Sequence, residues 1–222
     1  MKVNLKQNFD WQNKEFVKET KRAWGIVKRI DDNRPTLKQI FLIRNKEGNL
    51  DMLASDGYRL FVRKDWNSFD LPFKTRAKTL SLKIEGDSLI TDRLKIKDRE
   101  LLDNLLKILD GVEKAKKQGL MLNLKEPLKR LEKFNEAKKV VLELKKGKTY
   151  LRADDDYLKG KAEFLLQDNN DLPKLNLKIA FNASYVLSLL NGQNYTILSF
   201  TENPLQPFLI DGSLLMPMKT IE

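Results

Sequence analysis

Residues 120–218 pass twice through the same order of predicted secondary-structure elements, and this repetition limits the possible folds more than any other feature. The first repeat begins with a strand-like segment at 120–124 and continues with an amphipathic helix at 125–137. Three runs of β-favouring residues follow within 138–166, separated by Lys-Gly-Lys and Asp-Asp-Asp-Tyr turns. The predicted order of elements in this repeat is βαβββ.

The second repeat starts after the polar segment 167–174, which the pattern predicts as a loop. A strand at 175–181, a short helix at 182–192 and three strands within 195–218 follow the same βαβββ order with different residues. The two repeats therefore predict an α+β fold built from duplicated βαβββ units.

The N-terminal half begins in the same way. Segment 1–5 is predicted as a strand and segment 8–30 as a long helix. Three strands are predicted next, at 37–44, 50–55 and 58–64.

Beyond these strands the pattern is less regular. Segment 78–91 is predicted as an extra hairpin, 94–97 as a strand and 98–109 as a helix. The three strands that a further repeat would place after this helix are not visible in the sequence.

The Lys-rich segment 111–119, which begins and ends with glycine, is the natural boundary between two domains. A chain of 222 residues has room for two domains of about 110 residues each. We therefore predict an N-terminal domain of residues 1–117 and a C-terminal domain of residues 118–222.

The chain contains neither cysteine nor histidine. This absence excludes disulfides, Cys/His zinc sites, thiol nucleophiles and histidine acid–base catalysis. The sequence has no apolar run long enough for a membrane span, and its first residues are too polar for a signal peptide. We therefore expect a soluble cytoplasmic protein that does not enter a membrane.

The charge of the chain favours a polyanionic partner. There are 42 Lys and Arg against 31 Asp and Glu, a formal charge of +11 and a sequence pI near 9.6. Such an excess most often indicates nucleic-acid binding, although a Lys-rich genome or a need for solubility produces the same bias. The distribution of the cations decides between these interpretations.

In two predicted helices the cations gather on the face opposite the apolar residues. In the first helix, Glu15 and Glu19 interrupt the basic side at its edge. The faces carry neither interleaved aromatics nor a row of base-reading side chains, so they predict sequence-independent contacts with duplex phosphates. The predicted DNA contacts are Lys14, Lys18, Lys21, Arg22, Lys28 and Arg29 in the first helix and Lys125, Lys129, Arg130 and Lys133 in the second.

Four short motifs occur in a fixed order along the chain. They are Ala-Ser-Asp-Gly-Tyr-Arg-Leu at 54–60, Phe-Asn-Ala-Ser-Tyr-Val at 181–186, Leu-Gln-Pro-Phe-Leu-Ile-Asp at 205–211 and Leu-Leu-Met-Pro-Met-Lys at 214–219. Asp-Gly between two strands predicts only a hairpin turn. Together, however, the four motifs resemble those of the bacterial DNA polymerase sliding clamp, the β subunit of the replicative polymerase.

This resemblance implies a processivity factor. Clamp domains consist of two βαβββ units, with helices lining the hole of a ring and antiparallel sheets forming its outside. The implied partners are double-stranded DNA, a DNA polymerase, other proteins with a clamp-binding motif, and a clamp loader. The implied place of action is the nucleoid during replication, with no enzymatic activity, cofactor or metal.

The resemblance also implies a binding site for partner peptides. In the family, partners insert a short apolar-aromatic peptide into a pocket between the last two domains. Met and Leu side chains suit an adaptable apolar floor, and Arg, Asn and Tyr offer polar contacts at its margin. By resemblance, the peptide contacts are Leu37, Ser55, Gly57, Tyr58, Arg59, Leu60, Asn182, Tyr185, Leu205, Pro207, Leu214, Met216, Pro217 and Met218.

The chain departs from the family pattern in size and in two motif residues. Bacterial clamps have three domains per chain and close as dimers, whereas two domains imply a homotrimer if a ring of six domains is kept. Tyr58 replaces the usual His and Lys219 the usual Arg, which leaves the peptide preference open. A reduced clamp with bacterial motifs suggests a phage or another mobile element.

Two other classes of protein stay open at this point. Asp154, Asp155 and Asp156 could hold Mg²⁺ in an enzyme, but consecutive strand residues point to opposite faces, and a turn explains them better. The chain lacks both the phosphate-binding G-x-x-x-x-G-K-[ST] loop and the G-x-S-x-G nucleophile elbow. A clamp-like basic factor that does not encircle DNA, as a monomer or dimer, would also suit the charge.

Overall fold

The computed structural model divides the chain into two compact units, residues 1–111 (unit 1) and 112–222 (unit 2). Each unit has its own buried apolar core. The domain assignment 1–117 and 118–222 stays a prediction. The structure describes residues 1–4, 6, 11–30, 33–34, 37–67, 71–115, 118–134, 138–155, 160–168, 176–190 and 195–218.

Unit 1 combines an antiparallel sheet with a long helix packed on it. Its elements are β1 (Lys2–Asn4), α1 (Trp11–Val27), β2 (Ile40–Arg44), β3 (Leu50–Ser55), β4 (Arg59–Trp66), β5 (Thr79–Glu85), β6 (Ser88–Arg93) and most of α2 (Ile96–Lys114), whose last three residues are counted with unit 2. Antiparallel pairing places the strands in the order β1-β6-β5-β2-β3-β4. The predicted hairpin at 78–91 is the pair β5–β6.

Helix α1 packs its apolar side on the sheet. Phe16, Ala23 and Val27 recur on one helical face and are fully buried. The ring of Phe16 meets the ring of Trp66 edge-on, with 5.5 Å between the centroids. This packing directs the opposite, Lys-bearing side of α1 to solvent.

Unit 2 contains the two predicted repeats. The first is β7 (Gln118–Leu122), α3 (Lys125–Phe134), β8 (Lys139–Lys145), β9 (Lys148–Asp155) and β10 (Gly160–Asp168). The second is β11 (Leu177–Asn182), α4 (Ala183–Leu189), β12 (Thr196–Phe200), β13 (Phe208–Ile210) and β14 (Ser213–Leu215). The predicted α+β fold with duplicated βαβββ units is confirmed.

The two repeats of unit 2 exchange their first strands. Strand β11 pairs with β8, giving one sheet in the order β10-β9-β8-β11. Strand β7 pairs with β12, giving a second sheet in the order β14-β13-β12-β7. Leu128 and Leu131 of α3 and Val186 and Leu189 of α4 are buried in the core of this unit. The exchange joins the repeats into one structure.

Residues 94–97 do not form the predicted strand. Leu94 and Lys95 are irregular, and α2 already begins at Ile96. Asp98 explains the early start, because its Oδ2 accepts a hydrogen bond from Lys95 N at 3.3 Å while Asp98 N donates to Lys95 O at 3.1 Å. The helix predicted at 98–109 is therefore longer at both ends.

The other two long helices are present where they were predicted. The predicted helix 8–30 corresponds to α1, but its predicted end is wrong, because α1 ends at Val27 and residues 28–30 form a turn; residues 8–10 lie outside the described part. The predicted helix 125–137 corresponds to α3, and residues 135–137 lie outside it as well. No helix in the described ranges is long and apolar enough to cross a membrane.

Predicted boundaries in unit 2 are wrong at α4, at the three aspartates and at the loop 167–174, whose first two residues still belong to β10. Helix α4 is shorter than 182–192 because Leu190 has extended backbone, with ψ at 136°. The turn predicted at the three aspartates starts later, since residues 154–155 still belong to β9 and pair with β10. Asp156 lies outside the described residues.

Candidate nucleic-acid and peptide interfaces

The predicted peptide contacts of unit 1 cluster at the turn between β3 and β4. Gly57 has φ at +92°, a left-handed conformation that glycine adopts without steric cost. Asp56 closes the turn, because its Oδ1 accepts hydrogen bonds from the backbone N–H groups of Tyr58 and Arg59, each at 3.0 Å. The Asp-Gly pair is thus required by the turn itself.

The side chains at this turn differ in their exposure to solvent. Ser55 and Leu60 are buried, and Arg59 Nε lies 2.9 Å from Asp56 Oδ2 in an ion pair whose two side chains are each 12% exposed. Tyr58, in contrast, is 57% exposed. Of these predicted contacts, Tyr58 offers a partner the largest accessible surface.

Gly57→Ala is expected to reduce the free energy of unfolding by about 1 kcal/mol, because an L-residue is strained at this positive φ. Steric crowding does not contribute to this loss, since the nearest atom to an added Cβ is Arg34 Nη1 at 4.0 Å. Gly25→Ala in α1 is the matched control. No atom lies within 4 Å of its added Cβ, and we expect a gain of roughly 0.5–1 kcal/mol from the helical site. Chemical denaturation measures both variants, and changes of the same sign would contradict this assignment.

In unit 2 the predicted contacts Asn182 and Tyr185 lie at the start of α4. Asn182 caps this helix, because its Oδ1 accepts hydrogen bonds from Ser184 N at 3.0 Å and Tyr185 N at 3.3 Å. Met218 N donates to Ala180 O at 2.7 Å. Met218 therefore lies beside β11, close to the cap.

The remaining predicted contacts of unit 2 separate into surface and core residues. Leu205 is 60% exposed and Met216 is 41% exposed, which is unusual for large apolar side chains. Leu214 is buried and belongs to the core. The half-buried members are Tyr185, Pro207, Pro217 and Met218. Leu37 of unit 1 is also half-buried, in the turn before β2.

Helix α1 and the turn after it carry a line of exposed cations. Lys14, Lys21 and Lys28 recur every seven residues, so they lie nearly above one another, about 10.5 Å apart along the axis. Arg29 is exposed beside Lys28. None of the four pairs with an acidic side chain in the described part of the chain, so all four can contact an anion.

Two other predicted DNA contacts of α1 are in ion pairs. Lys18 Nζ lies 3.2 Å from Glu15 Oε2 in an exposed pair. Arg22 Nη1 lies 2.7 Å from Glu19 Oε1, and the Arg22 side chain is only 21% exposed. Arg22 is therefore less available to phosphates than the sequence suggests.

Glu19 is not at the edge of the basic face, as the sequence suggested, but almost fully buried. Its second oxygen, Oε2, lies 2.7 Å from Arg63 Nε of β4. The guanidinium groups of Arg22 and Arg63 both lie over the ring of Phe61, at 5.6 and 4.6 Å from the centroid. A buried carboxylate thus joins α1 to the sheet.

The cationic face of α3 is present but partly offset by an acidic residue. Lys129, Arg130 and Lys133 are exposed and Lys125 is half-buried. Lys129 Nζ lies 2.9 Å from Glu126 Oε1, and this hydrogen bond, together with the ammonium charge, holds the pKa of the Glu126 carboxyl below its ordinary value. Glu126 therefore remains negative at neutral pH and offsets one cation of this face.

The arrangement of repeats, exchanged strands and helices defines a class of fold, that of the sliding clamps of DNA replication. Solved bacterial clamps match it along nearly the whole chain. The C. crescentus β sliding clamp is 16% identical, with a TM-score of 0.65, and the match covers 99% of this chain. The predicted resemblance to bacterial DNA polymerase III β clamps is confirmed at the level of the fold.

Two further solved clamps show the same fold. The Helicobacter pylori β clamp bound to a DNA ligase peptide is 15% identical, with a TM-score of 0.64 over 92% of this chain. The Pseudomonas aeruginosa DnaN clamp bound to griselimycin is 18% identical, with a TM-score of 0.54 over 91% of this chain. The chain spans less than two thirds of each: 66% of the C. crescentus clamp and 64% of the other two. No protein-family model and no curated protein matches the sequence.

Proposed function

We propose that this protein is a sliding-clamp processivity factor. It encircles duplex DNA without sequence specificity and tethers a DNA polymerase, and other replication or repair proteins, through an apolar peptide-binding surface. The observation that carries the proposal is the clamp fold along nearly the whole chain. The protein acts in the cytoplasm at the nucleoid, and it holds its partners on DNA without catalysing a reaction.

The exposed cations of α1 and α3 support the contact with DNA. They contact phosphates rather than base edges, so every sequence is held with similar strength and the protein can slide. Only weak contacts are needed if the ring is closed, because topology then prevents escape. The paired Glu15 and Glu126 carboxylates moderate the positive charge of these faces.

The proposed ring requires more than one chain. Two clamp domains in this chain would need three copies to complete a ring of six domains, which makes a homotrimer the proposed assembly. A closed ring has to be opened to admit circular DNA, so a clamp loader is a proposed partner.

The exposed apolar side chains of unit 2 support the contact with partner peptides. Leu205 and Met216 are accessible, Pro217 and Met218 are half-buried, and unbranched Met adapts to different peptides. The H. pylori clamp of the same fold binds a DNA ligase peptide. The hairpin residues of unit 1, above all the exposed Tyr58, are proposed as further contacts for such peptides.

Lys14→Glu with Lys21→Glu is expected to weaken binding to duplex DNA at least tenfold at about 50 mM salt. Each lost phosphate contact reduces the slope of log affinity against log salt by about 0.9, and the introduced carboxylates add repulsion. Fluorescence anisotropy with two unrelated labelled duplexes measures this effect and its independence of sequence.

The matched control for this variant is Lys46→Glu with Lys107→Glu. Both control lysines are exposed residues of unit 1, and the change in net charge is the same. The control is expected to bind almost as well as the unchanged protein. An equal loss in both variants would mean that only total charge matters and would remove α1 from the DNA-contacting surface.

The net charge of +11 also suits a second candidate function. In this alternative the protein is a clamp-like processivity factor that holds DNA by charge alone, as a monomer or dimer that does not encircle it. Such a factor must bind tightly, and it would lose roughly 10³–10⁵ in affinity between 50 and 200 mM salt for 6–10 phosphate contacts.

A further inference from the structure

Unit 1 contains a basic cavity that none of the predicted contacts reaches. Its volume is about 770 Å³, and it is lined by Met1, by residues 73–80, by residues 91–94 at the end of β6 and by Arg99 near the start of α2. Four different parts of the unit thus contribute to one concave surface. We call this surface the basic cavity.

Cations dominate the lining of the basic cavity. Lys74, Arg76, Lys78, Arg93 and Arg99 are all exposed side chains that line it. In the described residues none of these five forms an ion pair. A single carboxylate, that of Asp92, belongs to the same lining, and its Oδ1 accepts a hydrogen bond from the backbone N–H of Arg93 at 2.7 Å. The cavity therefore holds a clear excess of unsatisfied positive charge.

Hydrogen bonds from Arg44 of β2 hold the basic segment of the cavity, residues 74–78, in place. Arg44 Nη2 donates to Thr75 O at 3.0 Å, and Arg44 N donates to Lys78 O at 2.8 Å. Exposed and half-buried residues alternate from Lys74 to Thr79, so Lys74, Arg76 and Lys78 are the exposed residues of this segment. An anchored segment thus presents three cations to solvent.

We propose that the basic cavity binds the sugar–phosphate backbone of a nucleic-acid strand. Five cations that line one concave surface, three of them on an anchored segment, match a ligand that carries a negative charge on each of its repeating units. The three arginines can each donate two parallel hydrogen bonds to a phosphate. Contacts of this kind position a strand without reading its sequence.

Two other anionic ligands fit the basic cavity less well. The apolar residues Phe73, Leu80 and Leu94 of the lining are each less than 10% exposed, whereas Met1 is 60% exposed. The accessible lining therefore offers an acidic peptide one flexible methionine and no aromatic anchor of the kind enriched in protein interfaces. The lining offers no exposed aromatic ring on which the base of a free nucleotide could stack. A polyanionic backbone needs neither feature.

This inference rests on the DNA-binding part of the proposed function, and it adds a contact outside helices α1 and α3. Arg76→Glu with Arg99→Glu tests it, since both side chains are exposed and lie on different elements of the lining. Lys74→Gln with Lys78→Gln is a milder second variant of the same cavity. The full chain is titrated into a labelled single-stranded oligonucleotide and, separately, into a labelled duplex, at salt concentrations between about 50 and 200 mM.

The cavity variants are expected to lose affinity and salt dependence together. Two lost contacts reduce the slope of log affinity against log salt by about 1.4 for a single strand and 1.8 for a duplex. When the salt concentration rises fourfold, the affinity of the variant therefore falls by a factor that is about ten times smaller than the factor for the unchanged protein. The probe whose slope change reaches its own expected value identifies which form of nucleic acid occupies the cavity, and the other probe is expected to change less than its value. Circular dichroism of each variant confirms that it is folded.

Three results would overturn the inference, and each can be told apart from failure of the proposed function. The cavity variants could bind nucleic acid as well as the unchanged protein, while Lys14→Glu/Lys21→Glu binds weakly. This result would support DNA binding by α1 and would show that the cavity takes no part in it. An equal loss in the control Lys46→Glu/Lys107→Glu shows an effect of total charge only. Displacement of the oligonucleotide by oligoglutamate of equal charge at equal concentration shows an acidic-peptide site instead.

Discussion

Glu19→Ala is expected to reduce the free energy of unfolding by about 3 kcal/mol, a large fraction of the stability of a domain of this size. The Glu19 side chain is 5% exposed and lies 2.7 Å from both Arg22 Nη1 and Arg63 Nε. Removing the carboxylate takes away an ion-pair partner that both guanidinium groups share, at a place where both side chains are mostly buried. Breaking one side of a buried ion pair is costly because the remaining charge stays desolvated.

Glu15→Ala is the matched control on the same helix. The pair between Glu15 and Lys18 has the same spacing, but its side chains are 46% and 59% exposed. An exposed pair of this kind contributes only about 0.5 kcal/mol. Urea denaturation measures both variants, and losses of similar size would contradict the view that Glu19 connects α1 to the sheet.

Leu205→Ala with Met216→Ala is expected to weaken binding of a short apolar-aromatic peptide by about 30-fold. This corresponds to the loss of one strong apolar anchor, about 2 kcal/mol, from an interface. Both side chains are largely accessible, so their truncation creates no cavity in the core and the unfolding midpoint is expected to change little. Anisotropy of a labelled peptide measures the affinity.

Met121→Ala is the matched control for peptide binding. Met121 is 62% exposed and also belongs to unit 2, but it lies on β7, outside the predicted contacts. Its truncation is expected to leave the affinity unchanged. If Met121→Ala weakened peptide binding as much as the double variant does, the peptide would not bind at the predicted contacts Leu205 and Met216.

The sequence predicted most helices and strands of unit 2, because the residue patterns that indicate them lie within short segments. Alternating apolar residues, Lys-Gly turns and the apolar spacing of α3 are each contained in a few neighbouring residues. The exchange of β7 and β11 between the two repeats was not predicted, since it depends on pairing between distant strands. In unit 1, the alternation of apolar residues at 94–97 predicted a strand. The structure has the start of a helix there, because the Asp98 carboxylate accepts a hydrogen bond from Lys95 N.

The candidate sites were predictable to a similar extent. Exposure of Lys14, Lys21 and Lys28 follows from helical periodicity, which the sequence contains. The burial of Glu19 could have been suspected, because it lies only about 60° from Phe16 around the helix, but its partner Arg63 is on a distant strand. The alternating cations of the basic cavity are visible in the segment Lys74–Lys78, whereas Arg93 and Arg99 reach it only through the fold.

The most direct measurement of the proposed encirclement compares how long the protein stays on two forms of one linear duplex. In the first form the ends are open. In the second form a bulky protein blocks both ends after the clamp protein has been added. Loading through the open ends needs no clamp loader. At high salt, where charge contacts are screened, we predict that the protein stays on the blocked duplex and leaves the open one. Equal release from both would show that DNA is held by contact alone and would contradict a closed ring.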